Sequence, residues 1–141
     1  MLRGINPILT PDLLHSLALM GHGDAVAIVD ANFPAASCGD RVHRLHGLDA
    51  ASVLDAVLSL LPLDSFIPNP AVTMQVVGDA VTVPPAVADL NLVLGRHGAA
   101  PAATLERFAF YKASKDAFAI IQTGESRAYG NIILTKGVIG F

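Results

Sequence analysis

The sequence predicts an α/β fold, a layered sandwich whose largely parallel or mixed central sheet is flanked by helices. Three observations lead there. Stretches with helical apolar spacing alternate along the chain with short β-branched stretches, the pattern of an α/β layer. Ala25 to Val29 is apolar at every position, without alternation, which marks a strand covered on both faces. Helix starts and stops recur between those strands along the chain.

Thr10-Pro11-Asp12 opens the first helix with a hydroxyl cap, a proline at the first helical position and an acid in the first turn. Leu13, Leu14, Leu17 and Met20 share one stripe of it, and Gly21 is expected to stop it. The strand at 25–30 follows, then a loop over 32–40. Residues 41–46 alternate weakly and read as a short strand. Asp49 caps a second helix with Val53, Leu54, Val57, Leu58 and Leu61 inward and Pro62 as its stop. Residues 64–70 connect to a strand at 71–77, where Val72, Met74 and Val76 alternate with Thr73 and Gln75. Pro84-Pro85 opens a third helix that Gly95 is expected to end. Residues 99–103 read as a connector. Residues 105–114 read as a helix with Leu105, Phe108, Ala109 and Lys112 on one face. Strands at 117–122 and 132–135 close the chain, and their short connection predicts an antiparallel pair.

At 141 residues the chain is expected to be a single domain, 1–141. Its composition is 52% hydrophobic and only 15% charged. That much apolar content means either a large core or surface covered by other copies; the second, a homo-oligomer, is the expectation. A formal net charge of −3 argues against nucleic acid. One cysteine, Cys38, excludes an internal disulfide and fits a reducing compartment. No apolar run approaches the ~20 residues that cross a bilayer. The start lacks a signal-peptide pattern, so a cytoplasmic location is expected.

The candidate chemistry is sparse. His22 sits between Gly21 and Gly23, after a helix stop, where the backbone is free and side-chain cover is missing. Histidine's ordinary pKa near neutrality suits general acid/base work. From position alone, a plain polar residue in a glycine turn is the favoured reading. Asp30 closes an apolar strand at its carboxyl end, the favoured place for a ligand in an open α/β sheet. It suits a hydroxyl, a histidine partner or a loop cap equally. Arg107 offers five donors and no base, so it would bind hydroxyls or a ring oxygen. A surface ion pair with Glu106 or Asp116 is its commoner fate. Tyr129-Gly130-Asn131 puts a phenol, an open backbone and an amide within three residues, enough to read several hydroxyls. It also suits a turn into an edge strand. Gly21-His22-Gly23 follows a helix, not a strand, so it is no dinucleotide loop. There is no P-loop and no nucleophile elbow. His43, His46 and Cys38 lack clustered ligands, so neither metal nor cofactor is expected. Small neutral ligands remain.

Together these pieces resemble the RbsD/FucU family of sugar mutarotases, and its fucose mutarotase branch in particular. The matching blocks keep their order along nearly the whole chain. They are Met1-Leu2-Arg3-Gly4-Ile5, Pro7-Ile8-Leu9, Met20-Gly21-His22-Gly23-Asp24, Asp30-Ala31-Asn32-Phe33-Pro34, Glu106 to Tyr111, Tyr129 to Leu134, and Lys136-Gly137. The resemblance implies a general acid/base at His22 and sugar binding by Asp30, Arg107, Tyr129, Gly130 and Asn131. Arg107 tilts it toward L-fucose and away from ribose pyranases, which tend to carry histidine there. It also implies an oligomer, commonly a ring of ten built from dimers, with sites near subunit boundaries. Residues 80–103 depart from the family pattern, and His97 lies among them. A non-catalytic sugar-binding module associated with sugar uptake is the competing expectation. An open-chain isomerase would need a metal or paired acids.

Overall fold

A computed structural model describes residues 1–140. The elements are α1 (Pro11–Leu19), β1 (Ala25–Val29), α2 (Ala35–Cys38), β2 (Val42–Leu45), α3 (Ala50–Leu58), β3 (Ala71–Met74), α4 (Pro85–Arg96), β4 (Ala103–Leu105), α5 (Arg107–Asp116), β5 (Ala119–Thr123) and β6 (Ile132–Thr135). The strands make one sheet in the order β2-β5-β1-β6-β3-β4. β1 runs parallel to β5 and antiparallel to β6; β2 is parallel to β5 and β4 to β3. Only β6 opposes the rest, as its pairing with β3 also shows.

Local chemistry sets the helix starts. The Thr10 hydroxyl accepts the Leu13 N–H at 3.2 Å, and the Asp49 carboxylate accepts the Ser52 N–H at 2.7 Å. Glu106 caps α5, accepting from the N–H groups of Phe108 and Ala109 at 3.0 and 3.2 Å.

The apolar run of β1 is explained by its two covered faces. Val26 and Ile28 pack into one core with Leu13 and Leu17 of α1, Leu54 of α3 and Leu90 of α4. Ala27 and Val29 pack into a second with Cys38 of α2 and Phe110 of α5. Alternate side chains of one strand therefore serve opposite layers, and every position must be apolar.

Several expectations change. The final two strands do run in opposite directions, but β1 lies between them, so they form no hairpin. Residues 35–38 are a helical turn within the expected loop, and β4 occupies the expected connector's end. The strand at 71 stops at Met74, and α5 begins at Arg107. Phe110 is its buried aromatic, while Phe108 is 65% exposed, so the face read from the sequence is turned. α4 continues through Gly95; the left-handed glycine is Gly98 (φ 74°). α1 ends in extended backbone at Met20, and Gly21 donates its N–H to the Asp24 carboxylate at 2.7 Å. The left-handed residue there is Gly23 (φ 86°).

Candidate functional site

At the carboxyl ends of the parallel strands lies a cleft of about 300 Å³, lined by Asp30, Asn32, Phe33, Met74, Val77, Arg107, Tyr111, Ala128, Tyr129 and Asn131. This is where an open α/β sheet places ligands. The crossing of β1 and β6 brings residues 101 apart in sequence together: the Asp30 N–H donates to the Asn131 side-chain oxygen at 2.8 Å. Asp30 is buried, and its carboxylate accepts the Asn32 N–H at 3.0 Å. Burial raises its pKa above the ordinary value of 3.8; bonds from the Asn32 backbone, the Asn131 side chain and the Phe33 backbone oppose that shift, and nearby Glu125 adds to it. The loop after β1 is pinned from β5: Gln122 donates its side-chain N–H to the carbonyls of Ala31 and Phe33 at 3.3 and 3.0 Å.

Tyr129 holds a left-handed backbone (φ 63°), which is strained for any residue but glycine. Its hydroxyl accepts the Val77 N–H at 3.1 Å, so its own proton is free to donate into the cleft. Its carbonyl accepts the Asn131 N–H at 2.8 Å. Gly130 is required by close approach: a Cβ there would meet the Glu125 Cγ at 2.6 Å. Arg107, at the start of α5, leans on the Phe108 ring, with its Cζ 4.7 Å from the ring centroid. It makes no ion pair with Glu106, which is spent on the helix cap. Its Nε is buried with no hydrogen-bond partner. A buried donor left unpaired costs ~1–3 kcal/mol, so Arg107 is held on the cleft wall at a local cost.

His22 is elsewhere. It sits before β1, at the opposite end of that strand from Asp30. The five residues of β1 alone separate the two by roughly 16 Å, farther than one monosaccharide reaches. Its half-exposed imidazole places Nε2 3.3 Å from an oxygen of buried Asp64, and its ring centroid is 5.5 Å from that of Phe66. Asp64 is held by strand-like pairing of 62–64 with 135–137: its N–H donates to the Thr135 carbonyl at 3.0 Å, and the Gly137 N–H to the Pro62 carbonyl at 2.8 Å. Gly137 allows this, since a Cβ there would lie 2.5 Å from the Leu63 carbonyl oxygen. The idea that Asp30 orients His22 therefore fails within one chain, and Asp64 has that place.

The structure thus joins Asp30, Arg107, Tyr129 and Asn131 with Gly130 beneath them, and leaves His22 out. Sequence reasoning missed Asp64, Tyr111 and Glu125. Asp64 stood in a segment read as connector, and its one signal was an acid beside an aromatic. Of the other motifs, His97 bonds Asp55 of α3 at 2.8 Å, away from the cleft, and His43 bonds Ser16 at 2.8 Å. Among the described residues no three His, Cys, Asp or Glu side chains gather as metal ligands.

A family model described as the RbsD / FucU transport protein family matches residues 3–139. The chain is 43% identical to the fucose mutarotase of Homo sapiens over 145 residues, covering 98% of this chain and 94% of that protein. It is 43% identical to the L-fucose mutarotase of Glaesserella parasuis, covering 98% and 96%. Its fold is similar to the crystal structure of the fucose mutarotase from Streptococcus pneumoniae in complex with L-fucose. That match has a TM-score of 0.91 at 39% identity and covers 98% of this chain and 99% of that one.

Proposed function

The chain belongs to the RbsD/FucU family, and from that premise we propose that it is a sugar mutarotase, an isomerase that interconverts the α and β anomers of L-fucose with His22 as general acid/base. The relatives' activity supports the reaction class. The observation that carries the assignment to this cleft is the convergence on its wall of Arg107, the buried acid Asp30, the Tyr129 phenol and the Asn131 amide.

Mutarotation opens the pyranose and recloses it on the other face of C1. The anomeric hydroxyl loses a proton and the ring oxygen gains one; the C1–ring-oxygen bond breaks, C1 rotates, and the steps reverse. Arg107 would donate to a hydroxyl or the ring oxygen. Asp30 and Asn131 would hold further hydroxyls, and the free Tyr129 proton could serve the second transfer. With Nε2 of His22 turned to Asp64, its Nδ1 is the nitrogen left for the sugar. Such help is worth ~10²–10⁴-fold, ample for a step that already proceeds in water.

An imidazole at one end of β1 and a hydroxyl-binding cleft at the other cannot meet in one chain. We therefore read the active site as composite: the His22 end of one copy seats on the cleft end of the next. That head-to-tail contact is heterologous, and it closes into a ring when the rotation permits. Exposed apolar side chains lie at both ends, Leu19 just before His22 in the chain and Val77 and Phe108 beside the cleft. The ring of ten implied by the family resemblance is one such assembly. A dissociated copy keeps the cleft without an acid/base, so it is expected to bind sugar and not turn it over. Among the described residues no helix is long and apolar enough to cross a membrane. The lone buried thiol of Cys38 fits a cytoplasmic setting.

The test is anomer exchange of L-fucose and D-ribose by saturation-transfer NMR. His22→Ala should lose exchange yet still bind L-fucose. Normal exchange by that variant would remove His22 from the mechanism, and faster exchange of D-ribose than of L-fucose would move the substrate to ribose.

A further inference from the structure

We infer that Glu125 is a positioning residue for the sugar cleft: its buried carboxylate holds the 125–131 loop in the shape that presents Tyr129 and Asn131. The inference rests on the mutarotase reading of that cleft. Glu125 is 3% exposed and lines no part of the cleft itself. One carboxylate oxygen accepts the Arg127 backbone N–H at 3.0 Å and its Nε–H at 2.9 Å, and the other accepts from Nη2 at 3.1 Å. Arg127 then extends Nη1 to Asp89 of α4 at 2.7 Å, which ties the loop to the helical layer.

The same residue grips the other arm of the site. The Glu125 carbonyl accepts the N–H of Ala31, next to Asp30, at 2.9 Å. Its own N–H donates to Thr123 Oγ1 at 3.1 Å, whose hydroxyl donates to the Val29 carbonyl at 2.9 Å. Its Cγ fills the space a side chain on Gly130 would take. Tyr129 needs this support, because a left-handed backbone at a tyrosine persists only where its surroundings over-determine it. Three donors of Arg127 meet two oxygens in a fork, which a neutral amide cannot reproduce.

The experiment measures the dependence of L-fucose anomer exchange on sugar concentration for the wild-type protein and for Glu125→Gln, Arg127→Lys and Arg107→Ala. Glu125→Gln should raise KM about tenfold, the loss expected for one charge-assisted hydrogen bond. Its kcat per folded chain should change by less than about twofold, since no reacting group is removed. Arg127→Lys keeps the charge but loses the fork, and should raise KM in the same direction; it decides the matter if Glu125→Gln does not fold. A purely structural role would lower Tm and the amount of active protein while leaving KM unchanged, and that result overturns the inference. Arg107→Ala separates the levels. If it raises KM while the other two do not, only the positioning role of Glu125 falls. If it too leaves KM unchanged, the cleft is not the sugar site and both readings fall.

Discussion

Two impaired variants should restore each other when mixed. His22→Ala removes the imidazole and leaves the cleft whole; Arg107→Ala spoils the cleft and leaves the imidazole and Asp64 whole. His22 precedes β1 and Arg107 lines the cleft at its other end, so a composite site as proposed would draw one part from each of two neighbours. Alone, His22→Ala should lose about 10²–10⁴-fold in exchange rate. Arg107→Ala should lose roughly 10–100-fold in kcat/KM, the worth of hydrogen bonds from a charged donor at ~1.5–3 kcal/mol. In an assembly made by co-refolding equal amounts, a contact has a one-half chance of an intact cleft and a one-half chance of an intact imidazole. About one quarter of sites are then whole, so activity should rise to roughly a quarter of wild type. The assay is saturation-transfer NMR on L-fucose before and after co-refolding, with total chain held constant. A mixture no more active than the mean of its parents would refute the composite site, because two broken sites within single chains cannot mend each other.

Other expectations concern single residues. Asp64→Asn should lower kcat by roughly 10–100-fold with little change in KM, as the imidazole loses a charged partner worth ~1.5–3 kcal/mol; steady-state exchange kinetics check it. For Asp30 the sign of the pH effect is fixed by burial, which raises the folded pKa above 3.8. The unfolded chain then binds fewer protons between the two values, so this acid's contribution is full below 3.8 and lost as pH rises through the folded value. Asp30→Asn should therefore match or exceed the wild-type Tm at pH 7, lose that advantage below pH 3.8, and bind L-fucose poorly throughout. Thermal melts against pH and a binding titration read both.

Much of the fold is legible along the chain because its causes are local. Thr10 and Asp49 start helices through bonds to residues three positions on, and any chain with those neighbours would make them. The unbroken apolar run at 25–29 declares two covered faces before any partner is known. The terminal strand at 132–135 is read to the residue. β4 escapes because three residues carry no period, and α2 because a single turn, though it buries Ala35 and Cys38, is too short to show one. Phe108 and Phe110 show a finer limit. Helical spacing cannot say which of two aromatics faces inward until Phe33 is there to meet Phe110, with ring centroids 6.0 Å apart.

The candidate site divides along the same line. Residue types alone mark His22, Asp30, Arg107 and the Tyr129-Gly130-Asn131 corner as groups able to move a proton or grip hydroxyls, because donor count and acidity are properties of the side chain. Distances between them are properties of the fold. The strand order places β6 between β1 and β3, which sets Asn131 against Asp30 and Tyr129 under Val77. The length of β1 sends His22 to the far end, where pairing of 62–64 with 135–137 supplies it with Asp64. Local chemistry thus determined which groups are present. Only the tertiary arrangement decided their neighbours, because contacts between residues distant in the chain are set by strand order and sheet direction, which no local stretch encodes.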